Sequence, residues 1–450
     1  MSLYTKLVSG ALFPLHERLK GHSSVRVRRS MERSQWLGPE QLAQLQARRL
    51  REFLVRIGRD VPYYRELFAQ RNFDPASVQG IRDLQQLPLT GKADIRANMD
   101  ALRADNAGPL ERFSTGGYSG EPLIFYRGKE RVSHDVAAKW RATRWWGVDI
   151  GDPEIVVWGS PVELDSQDRI RLLRDRFLRT ELLSAFEMSN ANMLQFTQRL
   201  REFRPSMLFG YPSSLALLAE YATGNGYRLD GLGVRVVFVT SERLYDHQRE
   251  AIETAFGCPV ANGYGGRDAG FIAHECPQGG MHITAEDIVL EIVGENGAVL
   301  PHGERGEIVV THLSTGDFPF VRYRTGDVGI LSTDTCSCGR GLPLLADIDG
   351  RTTDFVRAAD GTVLHGLALI YVLRELPQVK EFRIIQETLT NITVQLVAPE
   401  EERETLETTI AKQFQQRLGE SLVVHFEHLD RIERETSGKF RYVVSRLEDK

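Results

Sequence analysis

The sequence predicts an α/β protein: a large N-terminal domain with mixed sheets flanked by helices, followed by a small α+β C-terminal domain. Three stretches predict it. Residues 234–239 form an unbroken apolar run, the pattern of a strand buried on both faces of a parallel sheet, and a helical period follows as far as Phe256. Residues 281–332 hold strand signals, among them 289–293 and 306–311, separated by glycine turns. From 379 onward Phe382, Ile384, Ile385, Ile392, Val394 and Leu396 mark two strands, 399–418 is helical, and 422–426 is again a strand. That β-β-α-β order is the pattern of a small α+β unit. The division expected is 1–60 as an N-terminal helical extension, 61–353 as the large domain and 354–450 as the small one.

Composition sets the class. The chain has 450 residues, 42% hydrophobic and 26% charged, which is ordinary for a soluble globular protein. Its formal net charge of −5 argues against bulk attraction to nucleic acid, so no nucleic-acid partner is expected. No apolar run approaches the ~20 residues of a membrane span, so no transmembrane segment is expected. Residues 1–19 are interrupted by Lys6, His16, Glu17 and Arg18 and do not read as a signal peptide. Four cysteines without a secretion signal speak against a disulfide framework, and the compartment expected is cytoplasmic.

The elements follow in order. Leu3, Leu7, Leu12, Phe13 and Leu15 line one face of an N-terminal helix, expected to pack on the body, with a membrane-surface role as the alternative. Gly38-Pro39-Glu40 opens a helix over 41–59, with Leu42, Leu45, Leu50, Phe53, Leu54 and Ile57 on its apolar face. Val61-Pro62-Tyr63-Tyr64 breaks it, and 87–94 is a turn feeding another helix. A helix over 130–145 precedes a strand at 154–158. The arginine-rich stretch 169–179 reads as a solvated helix face. Residues 209–214 are a turn, with a helix from Leu215. Thr240-Ser241-Glu242 caps the buried strand and starts the helix that ends near Phe256.

Five polar motifs stand along this frame. Ser114-Thr115-Gly116-Gly117-Tyr118-Ser119-Gly120-Glu121-Pro122 is a hydroxyl- and glycine-rich loop before a strand. Glycines let a backbone approach a ligand, and exposed N–H and hydroxyl groups can wrap phosphate oxygens. No Gly-Lys-Ser/Thr follows, so it is not a Walker-type loop. Tyr264-Gly265-Gly266-Arg267-Asp268 is a polar loop at a strand end, where α/β sheets bind ligands. Arg322-Tyr323-Arg324-Thr325-Gly326-Asp327 combines an arginine fork, a hydroxyl, a glycine turn and a carboxylate that can accept from both hydroxyls of a ribose. Asp349-Gly350-Arg351-Thr352-Thr353-Asp354 and Ser437-Gly438-Lys439 complete the set.

In this order the motifs resemble the adenylate-forming (AMP-binding) superfamily of acyl-CoA synthetases. Val61-Pro62-Tyr63-Tyr64, Thr115-Gly116-Gly117, Gly210-Tyr211-Pro212-Ser213, Thr240-Ser241-Glu242 and Cys336-Ser337-Cys338-Gly339-Arg340 resemble its phenylacetate–CoA ligase and CapK-like branch. The resemblance implies the adenylate-forming enzyme fold, with 61–353 as the AMP-binding domain and a mobile C-terminal domain. It implies a reaction in which a carboxylate and ATP give acyl-AMP and pyrophosphate, and the acyl group then passes to a thiol, that of CoA or of a carrier protein's phosphopantetheine. On this resemblance Ser114, Thr115, Gly116, Gly117, Ser119 and Gly120 hold phosphates, and Asp268 helps to bind Mg²⁺, which prefers oxygen ligands. Ser241, Glu242, Tyr264 and Gly265 line the nucleotide site, Tyr264 near the adenine. Asp327 holds the ribose hydroxyls and Arg351 supports ribose or phosphate. Lys439 reaches the carboxylate–phosphate junction, where a cation stabilises developing charge. Asp354 is the hinge about which the small domain turns. Two residues depart from the pattern: Tyr118 stands for a threonine and Glu121 for a frequent lysine, and neither favours phosphate binding.

Cys276, His282, Cys336 and Cys338 offer three thiols and an imidazole, the number a closed tetrahedral zinc shell takes, and the relatives implied above carry such a structural site in the matching region. His274 is the competing imidazole, and Cys258 reads as a buried small apolar residue.

The function expected is therefore an AMP-forming acid–thiol ligase acting on a small-molecule carboxylic acid. Trp140, Trp145, Trp146, Trp158, Phe209 and Tyr211 would suit an aromatic acid if they line a pocket rather than the core. The arginines of 169–179 have contact with a CoA phosphate as their alternative role. Two other readings are an adenylyltransferase or amide- or ester-forming CapK-like enzyme of polysaccharide or secondary metabolism, and a non-catalytic nucleotide-binding protein. A homodimer is among the states the sequence allows.

Overall fold

The structure, a computed structural model, describes residues 2–114, 123–159, 169–185, 187–349, 355–360, 362–432 and 442–447. The chain opens in helices. α1 (Leu3–Leu7), a π-helical turn (Val8–Leu12) and α2 (Phe13–Leu19) run on as one rod. Pro14 accounts for the turn: it has no N–H for the carbonyl one turn back and its ring crowds that carbonyl, so the backbone widens, with Phe13 N–H reaching Val8 O. Buried Thr5, Val8, Phe13 and Glu17 hold the rod to the body, Phe13 edge-on to Trp140 at 5.1 Å and Thr5 Oγ1 donating to Asp152 at 2.8 Å. The rod does pack on the body, but not through the expected face: only Phe13 of that set is buried, and Leu3, Leu7, Leu12 and Leu15 are exposed.

α3 (Ser24–Ser34) and α4 (Pro39–Asp60) follow. Leu50, Phe53, Leu54 and Ile57 recur at helical spacing on α4 and join the same core as the sheet residues Ile308 and Val310. The helix stops at Val61, which is extended because a residue before proline is pushed out of the α region. Pro62 then suits the first turn of α5 (Pro62–Gln70), where its missing N–H costs nothing. α6 (Lys92–Ala97) precedes the antiparallel pair β1 (Glu111–Ser114) and β2 (Ile124–Arg127), and α7 (Lys129–Trp145) follows.

The body is a single mixed sheet, eleven-stranded among the described residues. β3 (Glu154–Trp158), α8 (Arg169–Leu178), β4 (Thr180–Ser184), α9 (Asn190–Phe203), β6 (Met207–Gly210), α10 (Pro212–Gly224), β7 (Val236–Thr240), α11 (Asp246–Phe256) and β8 (Val260–Gly266) build its parallel half, ordered β4-β3-β6-β7-β8, while the short β5 (Glu187–Met188) between β4 and α9 lies outside this sheet. β7 is buried along its whole length, as its apolar run predicts. Two helix starts differ from expectation. α10 begins at Pro212, since proline suits a first helical turn. α11 begins at Asp246 and not at 240–242, because Ser241 has φ +74°, a left-handed conformation in which a helix cannot continue.

The other half is antiparallel. β9 (Gly270–Glu275), β10 (Met281–Ile283), β11 (Ile288–Val293), β12 (Arg305–His312), β13 (Tyr323–Leu331) and β14 (Leu344–Asp349) extend the sheet from β8 in the order β9-β10-β14-β13-β12-β11. Chain direction therefore reverses at the β8–β9 turn, beside the ends of the parallel strands. β15 (Phe355–Arg357) and β16 (Val363–His365) form a three-stranded sheet with β5. After α12 (Leu367–Arg374), the smaller C-terminal domain carries β17 (Glu381–Thr388), β18 (Asn391–Val397), α13 (Arg403–Leu418), β19 (Val423–His428) and β20 (Val443–Ser445), in the sheet order β19-β18-β17-β20. Ile384, Ile392, Val394 and Leu396 meet Ile410 and Phe414 of α13 in its core, as the alternation predicts.

Candidate active site

β8 and β13 each bring one tyrosine and one carboxylate to the point where the sheet changes direction. Tyr264 of β8 donates its hydroxyl to Asp327 Oδ2 at 3.1 Å. Tyr323 of β13 donates its hydroxyl to Asp268 Oδ2 at 2.7 Å, in the β8–β9 turn. The two strands thus exchange hydrogen bonds, and the two acids predicted from sequence sit on one ledge. Gly265 is required there: a side chain on it would stand 2.2 Å from the carbonyl oxygen of Gly270. Gly326, at φ +78°, permits the irregularity in the β12–β13 pairing that presents Asp327, whose N–H is held by Thr325 Oγ1 at 3.1 Å.

A buried ionic cluster lies under the ledge. Arg131 of α7 donates from Nη1 and Nη2 to the backbone carbonyl of Asp268, each at 3.3 Å, and from Nε to Asp135 Oδ2 at 2.9 Å. His312 Nε2 stands 3.8 Å from the other Asp135 oxygen, and Ser314 N–H donates to His312 Nδ1 at 3.2 Å, which leaves the ring proton on Nε2. Burial would raise Asp135, but Arg131 and His312 overcome it and hold the carboxyl down at about 2. Burial, aided by Arg131, pushes His312 down to about 4 against the pull of Asp135. The sequence reading missed this cluster. Its partners lie on a helix and a distant strand end and share no local signal.

The arginine fork of the hexapeptide has a structural task. Arg322 is buried, with Nε and Nη2 donating to the two oxygens of Glu291 at 3.0 Å each and Nη1 donating to the Leu87 carbonyl at 2.8 Å. Its backbone is left-handed at φ +48°, and Thr90 N–H donates to its carbonyl at 2.9 Å. Arg322 therefore ties the 87–90 turn to β11 and β13.

Glu242 accepts from the Ser213 hydroxyl, which joins the 241–245 loop to the start of α10, and Ser241 supplies the left-handed turn just before it. Ser114 ends β1 beside Ile124. Thr115, Gly116, Gly117, Tyr118, Ser119, Gly120, Glu121, Arg351, Asp354 and Lys439 lie outside the described residues. Most of the aromatic set is core. Trp140 donates to Asp149, Trp145 Nε1 to Gln35 Oε1 at 2.8 Å, and Trp146 Nε1 to the Glu275 carbonyl at 3.0 Å. Trp158 and Tyr211 stack at 4.2 Å over the ends of the parallel strands.

Cys276, His282, Cys336 and Cys338 converge, with their donor atoms all within 4.8 Å of one another. Cys276 Sγ is 3.6 Å from Cys336 Sγ, and Cys338 Sγ is 3.2 Å from His282 Nε2. Ligands ~2.3 Å from a tetrahedral zinc stand roughly 3.8 Å apart, so the set fits such an ion. His282 Nδ1 faces the Leu342 carbonyl at 3.3 Å, which directs Nε2 into the cluster. Gly280 keeps the space open, since a side chain there would meet Cys336 Sγ at 2.6 Å. Burial pushes the Cys276 thiol up to about 12 and the His282 ring down to about 4, whereas for Cys338 burial is outweighed by the hydrogen bonds from Arg340, which hold the thiol below its ordinary value. His274 instead stacks on Phe271 at 5.5 Å, and Cys258 is buried away from the cluster.

Comparison with known proteins extends these observations. Residues 356–446 match the CapK C-terminal domain family. The chain is 25% identical over 417 residues to Protein CapK of Staphylococcus aureus, covering 90% of each. It is 24% identical over 434 residues to the phenylacetate-coenzyme A ligase of Aromatoleum evansii (90% of this chain, 95% of that one), and 28% identical over 325 residues to that of Pseudomonas putida (70% and 72%). Among solved structures it resembles 2-hydroxyisobutyryl-CoA ligase with 2-HIB-AMP and CoA in the thioesterification state (TM-score 0.65, 21% identity, 91% and 90% coverage) and the same ligase in the postadenylation state (TM-score 0.59, 21% identity, 91% and 90%). No helix among the described residues is long and apolar enough to cross a membrane. The homologues of this chain are thus CapK and the phenylacetate–CoA ligases, and its fold is that of the adenylate-forming CoA ligases.

Proposed function

We propose that the chain is an AMP-forming acid–thiol ligase. It joins a small-molecule carboxylic acid to ATP as an acyl-adenylate, releases pyrophosphate, and passes the acyl group to the thiol of CoA. The observation that carries this reading is the reciprocal pair Tyr264–Asp327 and Tyr323–Asp268, two carboxylates held on one ledge at a sheet reversal. Asp327 accepts from the ribose hydroxyls, while its bond from Tyr264 fixes the carboxylate plane. Asp268, held by Tyr323 and by Arg131 through its carbonyl, presents an oxygen to the Mg²⁺ that travels with ATP. Phosphorylated ends of the nucleotide fall to the 114–120 loop, the junction of acid and phosphate to Lys439, and ribose support to Arg351. In the same reading 61–353 is the AMP-binding domain, and 354–450 turns about Asp354 between the half-reactions. Zinc in the Cys276–His282–Cys336–Cys338 cluster is structural: four protein ligands leave no open position for chemistry. It pins the loop that follows β13, where Cys336 comes nine residues after Asp327.

Mixing the protein with Mg-ATP, CoA and a panel of acids, and resolving acyl-AMP and acyl-CoA by mass spectrometry, tests this. Acyl-AMP with one class of acid and conversion to acyl-CoA is expected; neither product with any acid contradicts it. A second reading changes the last step only, with an acceptor other than CoA: a carrier-protein thiol, an amine or an alcohol. Acyl-AMP that accumulates and is not consumed by CoA selects that reading.

A further inference from the structure

We propose that the N-terminal rod docks this protein flat on the surface of an anionic phospholipid bilayer. The rod formed by α1, the π turn and α2 has two faces. Thr5, Val8, Phe13 and Glu17 anchor one of them in the body. On the other stand Leu3, Leu7, Leu12, Leu15 and Leu19, with Leu3 86%, Leu7 53%, Leu15 56% and Leu19 80% exposed. The π turn aligns them. Each of its five residues advances less around the axis than an α-helical residue, so it turns the second half of the rod back by about a quarter turn. Leu12, Leu15 and Leu19 thereby continue the line begun by Leu3 and Leu7. Because the opposite face is anchored, the leucines cannot turn inward.

The surroundings match a lipid surface. Tyr4 donates to the carbonyl of Phe177 at 2.8 Å, which sets Phe177, 55% exposed, beside the start of the leucine line. Arg179 lies over the Tyr4 ring at 5.5 Å. Residues 1–34 hold seven lysines and arginines against two acids, a net of +5 in a chain whose net charge is −5. Lys6, Arg18, Lys20, Arg26, Arg29 and Arg33 are all exposed, while Glu17 is buried and bonded to His22 at 3.1 Å. An amphipathic helix with an apolar line and a basic border lies in the interfacial plane, its apolar side reaching the acyl boundary and its cations among anionic headgroups. The rod is too short and too polar on its anchored face to do more than lie there. A second copy of this chain would bring the same positive charge against itself, so charge favours lipid over self-association.

The full-length protein is sedimented with vesicles of phosphatidylcholine alone and of phosphatidylcholine with phosphatidylglycerol. Binding is expected only to the anionic vesicles and is expected to weaken at high salt. Leu7→Ser, Leu15→Ser and Leu19→Ser should each lower partitioning by about tenfold, without lowering the thermal midpoint, since these side chains are already in water. Lys6→Ser with Arg18→Ser should lower anionic binding in the same assay. No sedimentation with anionic vesicles overturns the proposal, and so does sedimentation that the leucine substitutions leave unchanged. A leucine-dependent dimer in sedimentation velocity, with no vesicle binding, overturns it in favour of a second copy.

Discussion

The hydroxyl of Tyr264 on β8 donates to the carboxylate of Asp327 on β13 across 3.1 Å, joining the two halves of the sheet at the point of reversal. If Asp327 receives the ribose, this bond orients it. Tyr264→Phe removes one hydrogen bond, worth about 1 kcal/mol net, so ATP affinity should fall roughly fivefold by calorimetry. Asp327→Ala should cost about tenfold or more while leaving zinc content unchanged. Loss of metal along with the nucleotide would mean that the ledge and the cysteine cluster are one unit.

Arg131 touches Asp268 only through its backbone, so it acts as a positioning residue. Arg131→Lys keeps the charge beside Asp135 but cannot supply the fork that grips both Asp135 and the Asp268 carbonyl. The turnover of adenylate formation should fall about tenfold, with the KM for ATP changed less. Arg131→Ala leaves Asp135 half-buried without its strongest partner and should lower the thermal midpoint, a loss the lysine variant largely avoids.

The same cluster sets a pH dependence. His312 has a folded value of about 4, below its ordinary 6.5, so the folded state favours the neutral ring. Its contribution is whole above pH 6.5 and is lost as the pH falls from 6.5 to about 4, because only the unfolded chain gains the proton over that range. Asp135, held at about 2 against 3.8, adds a second loss from 3.8 downward. Urea midpoints measured from pH 7 to 4.5 should fall more steeply for the native protein than for His312→Gln. Equal slopes would remove His312 from the account.

The cysteine cluster makes a stoichiometric prediction. Purified protein should carry one zinc per chain, lost in Cys338→Ser, and chelation should lower the thermal midpoint by several degrees. Metal-free protein in which Cys276, Cys336 and Cys338 all react would contradict it.

These tests fall on residues of uneven legibility. β7 and the C-terminal β-β-α-β unit were plain because their apolar periods are local. Asp268 and Asp327 were legible because each ends a short polar motif, yet their partners Tyr323 and Tyr264 were not paired across the sheet, since register is not written in either motif. Arg322 stands in the same hexapeptide as Asp327, yet its fork is claimed by Glu291 on a distant stretch of chain, a pairing that nothing local announces. The start of α11 was misjudged because nothing local marks Ser241 as left-handed. The rod shows the same limit. Its leucines were visible, but the re-phasing at the π turn, which sends Phe13 inward and Leu12 outward, comes from Pro14 and packing together.

Acid-dependent release of pyrophosphate from Mg-ATP by the native protein, set beside Lys439→Ala and Asp268→Ala, tests the central claim most directly. The account predicts release that depends on the added acid and falls at least a hundredfold in both variants. Release without any acid, release undiminished in the variants, or no release across a broad panel of acids would contradict it.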